Sequence, residues 1–291
     1  MVKSNLKEKK VVKKADLKIV DTNAVKTTAY SDINLKQWRD YDHVKTDTLW
    51  EFPNRLKEGG HSNEYHGNYI PQIAQQIYER YTKKNDIVLD LFFGSGTSGI
   101  EAINMNRRCI GVELKDELAE AVSEKFTPKQ LVTDVNIICA DSASEIAKEK
   151  VKARLDIMGA KNAQLLMLHP PYDDIIKFSD KKEDLSNCAT TEEFYDLFEK
   201  VAKNGYDLLE KGRFACLIIG DKYANSQHIP LGFECMARMN KLGFITKAII
   251  IKDMQGNERA KGKTANLWRY RALAGGFYIF KHEYVMIFQK I

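Results

Sequence analysis

Four consecutive residues, His169-Pro170-Pro171-Tyr172, carry the most specific chemistry in this chain. Two prolines in a row fix φ twice and remove two backbone donors, so the carbonyls of this turn point outward without internal partners, beside an imidazole and an aromatic ring. Such a turn can grip a flat group that carries an NH2. A second constellation begins at Asp90, 79 residues before His169, and continues as Phe92-Phe93-Gly94-Ser95-Gly96-Thr97. Gly94 and Gly96 let backbone amides approach a ligand closely, and a helix starting at Thr97 favours a negative group such as a carboxylate. Asp90 suits a cationic amine. Glu113 lies 23 residues beyond Asp90, a separation suited to accepting hydrogen bonds from both hydroxyls of a ribose, and Asp141 suits an adenine amino group. Each acid alone has a plainer role capping the helix that follows it. Gly94, Gly96 and Gly99 also satisfy G-x-G-x-x-G, which admits a dinucleotide-binding oxidoreductase. An acid four residues before the first glycine, together with a polar turn later in the chain, fits a nucleoside with a charged amino-acid tail better than a pyrophosphate.

The elements that must hold these residues can be read from periodicity. The pattern predicts a helix over 71–81 with Pro71 in its first turn, a strand over 86–90 and a helix from about 97. It continues with strand 108–113, helix 115–126, strand 135–140, helix 142–155 and strand 164–168. Helix 191–210, strand 213–219, helix 231–241, strand 245–251 and a final strand 283–289 complete it. Strands alternating with helices predict an α/β protein, its mostly parallel sheet covered on both faces. In such a sheet ligands bind beyond the carboxyl ends of the strands, near the point where strand order reverses. Asp90, Glu113, Asp141 and His169 all fall at strand ends.

Composition restricts the alternatives. A chain of 291 residues with 44% apolar and 29% charged residues reads as a globular, soluble, cytoplasmic protein. No apolar run approaches the roughly 18 residues that span a bilayer, so no membrane partner is expected. Five widely spaced cysteines without a C-x-x-C pair read as reduced, mostly buried thiols, and neither they nor His61 and His66 form a metal-ligand pattern. Residues 1–30 hold eight lysines against three acids, while the remainder is balanced at 37 basic and 37 acidic residues. Residues 1–30 therefore read as a basic, disordered tail, and 31–291 as one domain. Residues 31–64, with Trp38, Trp50 and Phe52, read as a loop-rich extension anchored by its aromatics. The stretch after Tyr172, Asp173 to Phe178, could form a loop bordering the base pocket, with core packing the plainer role for Ile175 and Ile176. The stretch 252–275, with Lys252, Arg259, Lys261, Lys263, Arg269 and Arg271, reads as a long loop suited to DNA phosphates, with a solvated charged loop as the plain alternative.

Taken together, the motifs resemble the S-adenosylmethionine-dependent amino methyltransferases of DNA, which methylate adenine N6 or cytosine N4. The resemblance covers roughly residues 65–290. It implies a Rossmann-like class I fold with an antiparallel last strand, S-adenosyl-L-methionine as cofactor, DNA as partner, and a cognate restriction endonuclease as a further partner. Asp90, Phe92, Gly94, Gly96 and Thr97 are similar to the family's cofactor loop, Glu113 to its ribose acid and Asp141 to its adenine contact. The segment Tyr65 to Pro71, with Tyr69 and Pro71, resembles the part that closes over the methionine end. His169, Pro170, Pro171 and Tyr172 resemble the catalytic tetrapeptide, although that motif usually begins with Asp, Asn or Ser. A neutral imidazole still offers one acceptor nitrogen. The implied chemistry is direct methylation of an exocyclic amino nitrogen in a flipped base, which Tyr172 stacks against, with adenine N6 favoured over cytosine N4 by Phe92-Phe93. No Pro-Cys pair is present, as attack through cytosine C5 would need. RNA or protein amide methylation, and a noncatalytic nucleic-acid-binding protein of this fold, are the rival expectations.

Overall fold

The computed structural model describes residues 27–61, 65, 67–254 and 265–291. An eight-stranded sheet in the order β1-β9-β10-β6-β5-β2-β3-β4 forms its centre. In chain order the strands are β1 (Leu49–Trp50), β2 (Ile87–Asp90), β3 (Arg108–Glu113), β4 (Val135–Cys139), β5 (Ala163–Leu168), β6 (Leu209–Ile219), β9 (Phe244–Asp253) and β10 (His282–Lys290), and a small hairpin, β7 (Lys222–Ala224) with β8 (Gln227–Ile229), stands apart. Strand β10 pairs antiparallel with both β6 and β9, and every other pair in the large sheet is parallel. The fold is therefore the expected α/β Rossmann-like arrangement with an antiparallel last strand.

The period of two in each strand sorts side chains between two cores. On β5, Leu166 and Leu168 face a core built with Val151, Phe194, Phe198 and Met239. Leu165 and Met167 face the other, with Ile73, Ile77, Tyr78 and Ile100. Helices α1 (Pro71–Tyr81), α2 (Thr97–Asn104) and α3 (Asp116–Ser123) thus cover one face, while α5 (Glu145–Ile157), α6 (Thr191–Leu208) and α7 (Leu231–Lys241) cover the other. The helix expected over 115–126 ends at Ser123, and a further short helix, α4 (Pro128–Thr133), forms in the stretch before β4 where no element was expected. Its Thr127 and Gln130 cap each other reciprocally, which starts a new helix at Pro128.

Three further expectations are corrected. Tyr30, placed in the tail, packs edge-on against Phe214 at 4.8 Å, so the ordered domain begins before residue 31; residues 1–26 lie outside the described residues. The extension is not purely loop, because Leu49 and Trp50 pair with Ile251 and Lys252 as an eighth strand. Trp50 is buried and anchors it, whereas Trp38 is 59% exposed beneath the Arg39 guanidinium. Finally, the described part of 252–275 is the end of β9 followed by the helix α8 (Ala265–Gly275). No helix among the described residues is long and apolar enough to cross a membrane.

Candidate active site

From β2 the chain moves outward through β3 to β4, then returns to place β5 on the other side of β2. Strand order reverses at this point, where the diverging connections leave a crevice beyond the carboxyl ends. The register pairs Asp90 with Met167, so the glycine turn after β2 and the His169–Tyr172 turn after β5 emerge side by side. A cleft of about 1180 Å³ opens there.

Tyr69, Phe92, Gly94, Thr97, Glu113 and Asp141 line this cleft together with His169, Pro170, Pro171 and Tyr172. Asp90, Gly96 and Pro71 do not reach the wall. Pro71 is buried at the start of α1. Gly96 precedes α2 at φ +83°, and a Cβ there would stand 2.7 Å from Val122, so both the conformation and the space require glycine. Asp90 lies beneath the wall, 2% exposed. Its carboxylate accepts from the Phe92 amide at 2.9 Å and from the Ser98 hydroxyl, and Tyr69 bonds the same hydroxyl at 2.5 Å. Burial raises the Asp90 pKa to about 6, only partly offset by these two donors. Asp90 thus shapes the turn rather than presenting an open carboxylate.

Glu113 accepts from the Gly94 amide and the Lys115 amide, both at 2.9 Å and through different oxygens. Each carboxylate oxygen keeps a further lone pair for a ligand hydroxyl. Burial raises its pKa against the pull of these amides. Asp141 is half-buried, accepts from the Ala143 amide at 2.9 Å through one oxygen, and lines the cleft. Apolar Phe92, Val112 and Leu114 line the same cleft. Carboxylates for hydroxyls and an amine, with apolar surface beside them, fit a nucleoside.

Across the cleft His169 meets the Tyr69 ring edge-on at 5.3 Å and the Tyr172 ring at 5.8 Å. Burial lowers the His169 pKa to about 4, so the imidazole is neutral at neutral pH. Tyr172 approaches Gly220 so closely that a Cβ there would be 2.9 Å from its ring. The turn after Tyr172 is fixed by Asp173, which bonds Thr191 at 2.7 Å and Lys222 at 3.0 Å. Asp221 holds the hairpin by accepting from Tyr284 at 2.9 Å and the Gly232 amide at 3.1 Å.

Contrary to the plainer expectation, Ile175 and Ile176 are exposed at the cleft rather than in the core. Lys252 is 2% exposed and pairs with Glu283 at 3.0 Å, so it is no phosphate contact. Arg269 and Arg271 lie exposed on α8, where Arg271 stacks on Trp268, a cleft residue. Arg259, Lys261 and Lys263 lie outside the described residues. Sequence reasoning missed Glu283, Phe277 and Phe280 on the same wall. The acid at 283 had one signal, a charge at the head of an otherwise apolar run in the last strand.

Comparison with known proteins identifies the family. The chain matches the N6/N4 DNA methylase family over residues 3–124 and 163–291. It is 35% identical over 100 residues to a Haemophilus influenzae protein named "Probable type III restriction-modification enzyme HindVI Mod subunit", covering 33% of this chain and 13% of that one. It is 27% identical over 104 residues to the type II methyltransferase M.MjaII of Methanocaldococcus jannaschii, covering 33% and 20%. The matched stretches thus span a fifth or less of these relatives' lengths. Among solved structures, TrmN from Thermus thermophilus aligns over 78% of this chain and 50% of its own, at 14% identity and a TM-score of 0.47. By the family match across most of its length, this chain belongs to the N6/N4 DNA methylases.

Proposed function

We propose that this protein transfers a methyl group from S-adenosyl-L-methionine to an exocyclic amino nitrogen of a base flipped out of DNA, adenine N6 in preference to cytosine N4. The observation that carries this reading is one cleft at the strand-order reversal, lined both by Gly94, Glu113 and Asp141 and by His169 to Tyr172.

S-adenosylmethionine supplies the methyl group when bound. Glu113 would hold its ribose hydroxyls, Asp141 its adenine amine, and Tyr69, Gly94 and Thr97 its amino-acid end. Opposite them, the amino nitrogen of the target base is a poor nucleophile because its lone pair is delocalised into the ring. The Pro170 carbonyl and the neutral His169 imidazole accept hydrogen bonds from its two N–H groups, which favours localising that pair and fixes its direction. Tyr172 stacks on the base, and this stacking with the base-edge hydrogen bonds offsets the few kcal/mol that flipping costs. Arg269 and Arg271 supply phosphate contacts beside the cleft. The preference for adenine rests on the resemblance of Phe92-Phe93 to the adenine group. A cognate restriction endonuclease is the expected partner, since both relatives above carry restriction-modification or type II names.

The test is incubation of the protein with unmethylated genomic DNA and labelled S-adenosylmethionine, followed by nucleoside mass spectrometry. Labelled N6-methyladenine is the expected product. N4-methylcytosine would overturn the choice of base, and unlabelled DNA with intact cofactor binding would overturn DNA as substrate.

A further inference from the structure

A chain of polar contacts runs away from His169 into the sheet. Its Nε2 lies 3.4 Å from the Tyr172 hydroxyl, which donates to Glu283 Oε2 at 2.9 Å. Glu283 Oε1 pairs with Lys252 Nζ at 3.0 Å. Glu283 and Lys252 are direct neighbours across the antiparallel pair of β10 and β9, and both are nearly inaccessible to solvent. A buried ion pair at the cleft end of β9 and β10 costs desolvation that packing alone would not require, so its position against a cleft aromatic calls for a role.

The proton bookkeeping along this chain has one solution. Lys252 has only donors, so Glu283 facing it is a carboxylate, which has only acceptors. The Tyr172 hydroxyl therefore gives its single proton to Glu283. Its oxygen is left to accept, and the partner at Nε2 must bring the hydrogen. A neutral imidazole has one N–H; if that N–H is on Nε2, Nδ1 is bare. We propose that Lys252 and Glu283 act through Tyr172 as positioning residues that fix His169 in the Nε2–H form, leaving Nδ1 as the acceptor for an amino proton of the target base. The inference rests on the function proposed above. In that reading it explains how a histidine serves where the family's motif usually carries Asp, Asn or Ser. Besides Tyr172, the groups around the imidazole are the Tyr69 ring and the charges of Glu283, Lys252 and Arg55. Burial and the two cations oppose protonation, while Glu283 favours it.

The test reads the tautomer directly, by long-range proton–nitrogen spectra of the full chain labelled with 15N-histidine, the His169 signals being assigned by their loss in His169→Gln. The wild type is expected in the Nε2–H form, and Tyr172→Phe and Glu283→Gln are expected to shift it toward Nδ1–H. Tyr172→Phe removes only the phenol oxygen and keeps the ring, so it covers the case in which Glu283→Gln, with Lys252 left buried, fails to fold. In both variants kcat should fall about 10- to 100-fold, the loss that metal-bound histidines show without the partner orienting them, while KM for DNA stays within about twofold. A wild-type Nδ1–H form, or a tautomer unchanged in both variants, overturns the inference. The spectra need neither DNA nor cofactor, so a wild type that leaves DNA unmethylated overturns the proposed function separately.

Discussion

Replacing Asp90 by Asn should make stability less sensitive to acid while weakening cofactor binding. Asp90 is buried and its pKa is raised from 3.8 to about 6 by desolvation. The folded state therefore binds a proton between these values that the unfolded state does not, and the group's contribution is most favourable below about 4 and is lost as pH rises through about 6. A shift of about two units corresponds to roughly 3 kcal/mol in full, and about 1.4 kcal/mol of it falls between pH 8 and pH 5. Asparagine has no charge to desolvate, although its amide leaves the Ser98 hydroxyl without its acceptor, at a cost near 1 kcal/mol. That loss does not depend on pH and cancels from the difference. Urea unfolding of both proteins at pH 8 and pH 5 should show the wild type gaining about 1.4 kcal/mol relative to Asp90→Asn on acidification. Calorimetric titration at pH 8 should show weaker binding of S-adenosylmethionine to the variant, because the negative charge beneath the glycine turn is gone. Equal pH dependence of the two proteins would refute the assignment of Asp90 as a buried, charged group at neutral pH.

Tyr172→Ala should retain cofactor binding by calorimetry and lose methyl transfer by at least about 100-fold, because it removes both the stacking surface and the partner of His169. Gly111→Ala should lower stability by about 1–3 kcal/mol in urea unfolding, since a Cβ there would stand 2.2 Å from the Phe93 ring. Arg269→Ala with Arg271→Ala should weaken DNA binding for all sequences alike and flatten its dependence on log salt concentration by up to about one unit each, leaving cofactor affinity unchanged. His169→Asp alone should be inactive, and adding Glu283→Gln should restore part of the activity in the tritium-transfer assay; equal activity of the single and double variants would show the two positions to be uncoupled.

Much of this fold is written locally. The buried parallel strands β2, β3 and β5 are short continuous apolar runs, and a run such as Leu165-Leu166-Met167-Leu168 has no other stable place in a protein of this size. What escaped reading divides into two kinds. Thr127 to Gln130 and the Ala, Leu and Arg content of α8 were local helix signals, the first passed over beside a stronger helix and the second obscured by its charge. Strand β1 was not legible at all, because two residues pair only when β9 is already present as an edge. The site shows the same division. The glycine turn and the tetrapeptide are contiguous and were visible, yet which of their residues face the ligand depends on packing: Asp90 and Gly96 turn inward while Gly94 and Phe92 face the cleft.

Lys252 and Glu283 belong to the second kind, and they bear on why position 169 holds a histidine. Glu283 is separated from His169 by one phenol oxygen and is balanced by a single lysine. A carboxylate at position 169 would place a second negative charge in the same buried region, where like charges force one group to take up a proton. A protonated acid would lose the acceptor that an amino proton requires. The neutral imidazole adds no charge: burial keeps it unprotonated down to about pH 4, and it presents one acceptor whichever nitrogen carries the hydrogen. Under the proposed function, the departure from Asp, Asn or Ser and the buried acid on β10 are thus parts of one electrostatic solution, in which the acceptor at position 169 is kept neutral because the negative charge already lies on Glu283 beside Tyr172.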